Sequence, residues 1–328
     1  MTILVTGATG FVGLAVSAHL LDGGASVVLF DNRQPPHELL RSLPTEQYRI
    51  CIGDVREPHD IERACRDESI EAVVHLAAIT AGPAREAASP EMIVGVNVVG
   101  TAVLLKSVAR YKPRRILHIS SAAVYGFADP GPIGRYVAGR TCPQPASLYG
   151  ISKLAGEQAA LRLGEVFGLD VRVVRLGAMF GPWEYETGVR DAMSPHLQVL
   201  KQAETGKAAI LPRPMRNDWI YIRDAAAGIA AVLSAHELGA ERIFDLGGRV
   251  ITDLLQWAEV LKGYRPGLSC RVGMPGEAST VSYNLPRDRA PLDNNAIERA
   301  TGFRPRFDLA AAAQDYVSWL DRYNGMRG

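Results

Sequence analysis

The stretch Thr6-Gly7-Ala8-Thr9-Gly10-Phe11-Val12-Gly13 follows a short apolar run at Ile3–Thr6 and opens the helical pattern Val12–Leu21. Glycine is needed where a chain turns tightly and where its backbone approaches a phosphate without a Cβ in the way. A further glycine lets the following helix pack close to the sheet. Because the start of that helix offers free N–H groups and the positive end of a dipole, the stretch predicts a site for a dinucleotide pyrophosphate.

Short apolar runs alternate with longer amphipathic stretches through the first half of the chain. The runs predict strands at Ile3–Thr6, Ser26–Phe30, Tyr48–Ile52, Ala72–Leu76, Arg115–Ser120 and Val171–Leu176. The stretches predict helices at Val12–Leu21, Ile61–Arg66, Ile93–Arg110 and Gly150–Phe167. Strands that are apolar nearly throughout and separated by helices are typical of a parallel sheet covered on both faces. We therefore expect an α/β fold with a Rossmann-type doubly wound parallel sheet.

The alternation breaks after Leu176, where loops rich in Gly, Pro and aromatic residues begin. Two late strands are predicted at Trp219–Ile222 and Ile243–Leu246. We expect residues 1–176 and 219–246 to form the dinucleotide-binding domain. Residues 177–218 and 247–328 would then form a smaller C-terminal α/β subdomain that binds the substrate.

The second predicted strand ends in Phe30-Asp31-Asn32. A carboxylate at this place accepts hydrogen bonds from the adenosine ribose hydroxyls and repels a 2′-phosphate, so Asp31 predicts NAD as the cofactor. The third strand closes with Gly53-Asp54-Val55, where Asp54 could bind the adenine amino group or simply form the turn.

Tyr149-Gly150-Ile151-Ser152-Lys153 places a phenol and an ammonium four residues apart, on one face of a helix. A neighbouring cation stabilises a phenolate, so we expect Lys153 to lower the pKa of Tyr149 and Tyr149 to act as a base. Ser120-Ser121 ends the fifth strand on the edge that carries the glycine turn. A hydroxyl there could bind the oxygen of a reacting carbonyl.

Together these residues resemble the extended short-chain dehydrogenase/reductase superfamily, and within it the NAD-dependent sugar epimerase/dehydratase family. The resemblance rests on Gly7-x-x-Gly10-x-x-Gly13, Asp31, Asp54-Val55, His75-Leu76-Ala77-Ala78, Asn97-Val98-Val99-Gly100-Thr101, Ser120 to Gly126, and Tyr149-x-x-x-Lys153. It implies that Ser121, Tyr149 and Lys153 are catalytic, and that Asn97 helps to hold the site.

The motif set predicts three groups of site residues. NAD would be bound by Gly7, Gly10, Phe11, Val12, Gly13, Asp31, Asn32, Asp54, Val55, Leu76, Ala77, Ala78, Asn97, Ser120, Tyr149 and Lys153. The substrate would be bound by Thr80, Ser121, Ala122, Tyr149, Ala178, Arg216 and Arg289, of which Arg216 is the best candidate for binding an anion. We expect no metal, because the four cysteines show no ligand spacing.

The chain departs from the family at three places. Dehydratases carry an acidic pair after the serine, whereas this chain has Ala122-Ala123, which argues against a 4,6-dehydratase. Nucleotide-sugar enzymes usually have an Asn at the position of Ala178, and an Arg where Asn217 precedes Asp218. The last two departures, at Ala178 and Asn217, concern groups that would bind a nucleotide diphosphate.

Three functions follow from these observations. The first is NAD-dependent oxidation or epimerisation at a secondary hydroxyl of a carbohydrate, most like a nucleotide-sugar 4-epimerase. The second is a net NAD-dependent dehydrogenase of a non-nucleotide sugar, polyol or sugar acid. The third is a non-catalytic protein that responds to NAD(H).

Composition limits the other partners. The formal net charge of +1 gives no field that would attract nucleic acid. We expect no membrane span, and the start of the sequence reads as a strand rather than a targeting signal, so we expect a cytoplasmic protein. The resemblance also implies a homodimer in which helices around Ile93–Arg110 and Gly150–Phe167 form a four-helix bundle.

Overall fold

The computed structural model describes residues 1–66 and 69–327 of the chain. Its strands are β1 (Thr2–Thr6), β2 (Ser26–Asp31), β3 (Tyr48–Ile52), β4 (Ile70–His75), β5 (Arg115–Ser121), β6 (Val171–Leu176), β7 (Met179–Phe180), β8 (Ala209–Leu211), β9 (Ile220–Tyr221), β10 (Ile243–Leu246) and β11 (Cys270–Val272). Within the described residues, seven strands form one parallel sheet in the order β10-β6-β5-β4-β1-β2-β3. The order runs outward from β1 in both directions, which confirms the predicted Rossmann-type fold.

The helices cover both faces of this sheet. They are α1 (Phe11–Asp22), α2 (His37–Arg41), α3 (Pro58–Cys65), α4 (Pro83–Ala88), α5 (Pro90–Val94), α6 (Gly100–Val108), α7 (Leu148–Phe167), α8 (Pro195–Glu204), α9 (Ile222–Ser234), α10 (Leu254–Leu261), α11 (Asn295–Thr301) and α12 (Leu309–Arg327). A π-helical turn at Gly95–Val99 joins α5 to α6.

Period-two alternation explains why the central strand β1 is apolar at each of its three inner positions. Ile3 and Val5 of β1 are buried in the hydrophobic cluster that contains α1. Leu4 between them is buried in a second cluster on the opposite face, with residues of α3 and α6. Because side chains of a strand alternate between the two faces, a strand covered by helices on both sides must be apolar throughout.

The substrate side of the molecule contains two small parallel sheets, β7 with β9 and β8 with β11. The strand predicted at Trp219–Ile222 forms as Ile220–Tyr221, but it pairs with Met179–Phe180 and lies outside the main sheet. The strand predicted at Ile243–Leu246 adds the seventh strand beside β6.

The helical run Pro90–Tyr111 is long and apolar enough to cross a membrane, with a mean hydropathy of 1.8. No such segment was expected from the sequence. Core helices of globular proteins meet the same criterion. Here 44% of the apolar window is buried inside the fold, where α6 packs between α3 and α7.

Candidate active site

The glycine turn between β1 and α1 forms a cradle made of backbone. Gly7 has a φ of +67°, and a Cβ on it would lie 2.6 Å from the backbone nitrogen of Ala77. A Cβ on Gly13 would overlap the carbonyl oxygen of Gly7. The turn therefore accepts only glycine at both places, and it presents the first N–H groups of α1 to the cleft.

Asp31 lies at the end of β2, beside this cradle. Its carboxylate accepts hydrogen bonds from the backbone N–H groups of Thr9 (3.0 Å) and Asn32 (2.8 Å), which fix its orientation. Asp54, one strand farther out, accepts three hydrogen bonds from the side chain of Arg56, and this pairing lowers the pKa of Asp54. Asp31 is thus positioned for a ribose, whereas Asp54 is largely engaged by its own neighbour.

A single cavity of about 750 Å³ joins the cradle to the catalytic residues. Every residue predicted to bind NAD or the substrate lines it, with two exceptions. Asn97 is buried behind the cavity wall. Arg216 is exposed to solvent and does not line the cavity, so anion binding by Arg216 stays a prediction. The next two residues, Asn217 and Asp218, are buried and turn inward.

Tyr149 stands at the start of α7, where Ser147 caps the helix by accepting a hydrogen bond from the Gly150 N–H. The phenol lies near the side chains of Ser121 and Thr80, and all three residues line the cavity. Burial raises the pKa of Tyr149, and the nearby hydroxyl groups of Ser121 and Thr80 oppose the shift. The predicted catalytic serine and tyrosine therefore lie together in the cavity.

Lys153 lies one helical turn beyond Tyr149. Its Nζ donates a hydrogen bond to the backbone oxygen of Ile119 at 2.6 Å. Burial lowers the pKa of Lys153 to about 8. In this structure the ammonium is directed at Ile119, and burial is the largest influence on the pKa of Tyr149. That Lys153 lowers the pKa of Tyr149 stays a prediction.

Asn97, in the π-helical turn, holds both sides of the tyrosine in place. Its amide accepts a hydrogen bond from the Ile79 N–H (2.8 Å) and donates one to the Ile79 oxygen (3.1 Å). It also donates to the Ser152 hydroxyl (2.9 Å), which donates to the backbone oxygen of Tyr149. The predicted role of Asn97 in holding the geometry thus has a physical basis: it ties the segment that carries Thr80 to the helix that carries Tyr149.

Two cavity residues on the substrate side bear on the charge around Tyr149. Arg190 was not predicted; it lines the cavity and forms an ion pair of 2.6 Å with the buried Glu184. Arg289 was predicted, and it packs over the ring of Phe127 at 5.6 Å. Both guanidinium groups act to lower the pKa of Tyr149. Arg190 lies in an irregular segment, so neither periodicity nor a motif could have indicated it.

The sequence model of the NAD-dependent epimerase/dehydratase family matches residues 3–247, more than half of the chain. The chain belongs to this family. One relative of this chain is sterol demethylase protein B of Methylococcus capsulatus, which is 32% identical over 99% of this chain and 100% of that protein. Another is UDP-glucuronate 4-epimerase 4 of Arabidopsis thaliana, 28% identical over 99% of this chain and 76% of that protein. The fold is shared with UDP-glucuronic acid 4-epimerase of Bacillus cereus, at a TM-score of 0.81 and 24% identity over 98% and 99% of the two chains.

This epimerase/dehydratase family member is an NAD-dependent enzyme, and its residues fit that cofactor. The cradle that excludes a Cβ at Gly7 suits the pyrophosphate, and the fixed carboxylate of Asp31 suits the adenosine ribose. The same cavity then reaches Lys153 and Tyr149. When bound, the nicotinamide supplies a hydride acceptor and donor. Ala122 and Ala123 provide no acid beside Ser121.

Proposed function

We propose that this protein is an NAD-dependent 4-epimerase of a nucleotide-linked sugar. The observation that carries the proposal is that Tyr149, Ser121 and Thr80 line the same cavity that begins at the glycine cradle. Relatives named as UDP-glucuronate 4-epimerases, aligned over nearly the whole chain, support the choice of reaction.

The chain's own residues account for proton transfer and orientation. Ser121 and Thr80 bind the oxygen on which Tyr149 acts, so the substrate hydroxyl would lie among three hydroxyl groups. Tyr149 takes the proton of that hydroxyl during oxidation and returns it during reduction. Burial raises the pKa of the phenol, and the positive charges of Arg190 and Arg289 oppose this shift and so favour the phenolate that accepts the proton.

The experiment is a conversion assay with UDP-glucuronic acid and UDP-glucose, followed by NMR for the 4-epimer and by absorbance for NADH. We expect epimer without net NADH from the wild type. Tyr149→Phe should lower the rate by about 100- to 10,000-fold. The control is Tyr264→Phe, an exposed tyrosine of the substrate side, which should retain full activity. Equal rates in the wild type and Tyr149→Phe would refute the proposal.

A second candidate, a net dehydrogenase of a sugar acid or polyol, is favoured by one observation. Ala178 and Asn217 line the cavity, and the Asn217 side chain is engaged by the Asp218 N–H at 3.0 Å. Neither position therefore offers the groups expected for a nucleotide diphosphate. In this case the same assay, run with a panel of sugar acids and polyols, should give stoichiometric NADH and no epimer.

We also propose a homodimer through the helices α5, α6 and α7. Partly exposed apolar side chains lie on α5, on the π-helical turn that leads into α6, and on α7: Met92, Val94, Val99, Ile151 and Val166. A second copy would cover these groups in a four-helix bundle, because exposed apolar faces on neighbouring helices favour association. Sedimentation at micromolar concentration should give a dimer, and Val99→Lys with Ile151→Lys should give a monomer.

A further inference from the structure

Two short segments pair beside the substrate side of the cavity, and one of them reaches its wall. Residues 135–138 and 289–293, which we call the substrate wall, pair at Tyr136 and Leu292. The Tyr136 N–H donates to the Pro291 oxygen, and the Asp293 N–H donates to the Tyr136 oxygen, both at 2.9 Å. Arg289 and Ala290 of the wall face the cavity. The position of this wall therefore sets the shape of the substrate site.

Two buried carboxylates fasten the wall to the rest of the molecule. Asp245, at the end of β10, accepts a hydrogen bond from the Ala138 N–H at 2.7 Å. Asp218 accepts one from the Leu292 N–H at 2.8 Å. Asp245 is 0% exposed and Asp218 is 4% exposed. Each of the two segments of the wall is thus held by one carboxylate from the body of the enzyme.

The Asp245 attachment continues to the catalytic helix. The Tyr125 hydroxyl donates to both oxygens of Asp245, at 3.0 and 2.9 Å, and accepts from Arg175 at 2.8 Å. Arg175 forms a buried ion pair with Glu157, which lies one turn after Lys153 on α7. The Tyr125 ring also stacks on Tyr136 at 4.7 Å. A continuous buried network therefore joins the substrate wall to the helix of Tyr149 and Lys153.

Stability alone does not account for these carboxylates. Removing a charge from water is costly, and apolar side chains of similar volume often stabilise a fold better than buried charges do. Burial raises the pKa of Asp218 and of Asp245 to about 7 in each case. Both groups are thus costly to ionise at neutral pH, yet each holds a backbone N–H of the wall.

We propose that Asp218 and Asp245 are positioning residues that hold the substrate wall against the body of the enzyme, and so set the affinity for the substrate but not for NAD. The inference deepens the proposed function and rests on it for the choice of ligand. The wall itself belongs to this chain whatever the substrate is.

The arrangement gives substrate binding a pH dependence with a definite sign. Above about pH 7 both carboxylates are ionised and accept charge-assisted hydrogen bonds from the wall. Below it each gains a proton, and at Asp245 the new O–H meets a hydroxyl that already donates to it. Substrate affinity should therefore fall as the pH falls from 8 to 6.

Five other titratable or charged side chains face the two carboxylates. Tyr125, Arg175 and Glu157 face Asp245, and Arg135 and Tyr283 face Asp218. Burial raises the pKa of Tyr125 and of Tyr283 above the ordinary value of a phenol, so neither tyrosine titrates between pH 6 and pH 8. For Arg175, burial lowers the pKa, but the pairing with Glu157 outweighs it and the pKa is raised.

The test compares the NAD-loaded wild type with Asp218→Asn and Asp245→Asn. The matched control is Asp224→Asn, because Asp224 is also buried and accepts two backbone hydrogen bonds, from Arg306 and Phe307, away from the wall. Two quantities are measured from pH 6 to pH 8.5: the Kd of UDP-glucuronic acid, and amide hydrogen exchange at Ala138 and Leu292, corrected for the intrinsic rate.

We expect the wild-type Kd to rise by about tenfold from pH 8 to pH 6. Each variant should bind weakly at every pH with its part of the pH dependence lost, and should exchange faster at its own wall amide. NAD affinity should stay within about twofold. Kd values and exchange rates like those of Asp224→Asn would overturn the proposal. If UDP-glucuronic acid does not bind at all, the proposed function fails, while amide exchange still decides the role of the two carboxylates.

Discussion

At the cofactor end of the cavity the backbone sets the shape, whereas at the substrate end side chains from loops set it. The cradle depends on two glycines and on N–H groups of α1, and Asp31 is oriented by the backbone of Thr9. The substrate end depends on Arg190 and Arg289, which come from irregular segments. The comparison teaches that the cofactor end tolerates little change, while the substrate end can be altered one side chain at a time.

The largest effect should come from breaking the backbone-built end. Gly7→Ala introduces a Cβ 2.6 Å from the Ala77 nitrogen at a φ of +67°. We expect NAD affinity to fall by about 100-fold, equivalent to strain of about 3 kcal/mol. Titration calorimetry with NAD measures it. Gly24→Ala is the control, since its φ is +79° but a Cβ there meets nothing within 4 Å. Equal affinities in both variants would show that no cradle exists.

The catalytic region between the two ends should respond less strongly. Asn97→Ala leaves the Ile79 N–H buried without its acceptor and frees Ser152. We expect kcat to fall by about 30-fold, which corresponds to about 2 kcal/mol, with NAD affinity unchanged. Steady-state kinetics and NAD titration separate the two quantities. Asn295→Ala, at an exposed helix start, should leave kcat unchanged.

A side-chain change at the substrate end should affect binding most. Arg289→Met removes the cavity-facing guanidinium, and we expect KM to rise by about tenfold, with a smaller fall in kcat because Arg289 also acts to lower the pKa of Tyr149. Arg287→Met is the matched control, because Arg287 also packs over Phe127, at 4.3 Å, but is exposed outside the cavity. A comparison of UDP-glucuronic acid with UDP-glucose sharpens this result. An increase for the acid alone means that Arg289 binds the sugar carboxylate, and an equal increase means that it binds the diphosphate.

The smallest effect is on stability. The pKa of Asp218 is raised to about 7 in the fold, so between its unfolded value and pH 7 the folded state holds the extra proton. Ionisation at higher pH therefore destabilises the fold. We expect Asp218→Asn to melt about 1–2 °C higher than the wild type at pH 8, for about 1 kcal/mol, and to lose this gain at pH 5. Calorimetric scans at the two pH values measure it. An unchanged difference would contradict the assignment.

The same comparison explains what the sequence could predict. The glycine turn, Asp31 and the Tyr149–Lys153 pair were predictable because each is a local pattern whose spacing dictates its geometry. Arg190 was not, because a loop residue reaches the site through tertiary packing. The exposure of Arg216 was not predictable for a related reason: only the packing decides which residue beside Asp218 turns inward. The three-residue strands β8 and β11 are too short to give a periodic signal.

In the proposed epimerisation, Tyr149 and NAD oxidise and then reduce the same carbon of the substrate. The most direct measurement uses UDP-glucuronic acid deuterated at C4, incubated in ordinary water with the NAD-loaded enzyme and analysed by mass spectrometry and NMR. We expect an epimer that retains the deuterium at C4, because the hydride that leaves C4 returns to it. An epimer in which that deuterium has been replaced by hydrogen from water would contradict it.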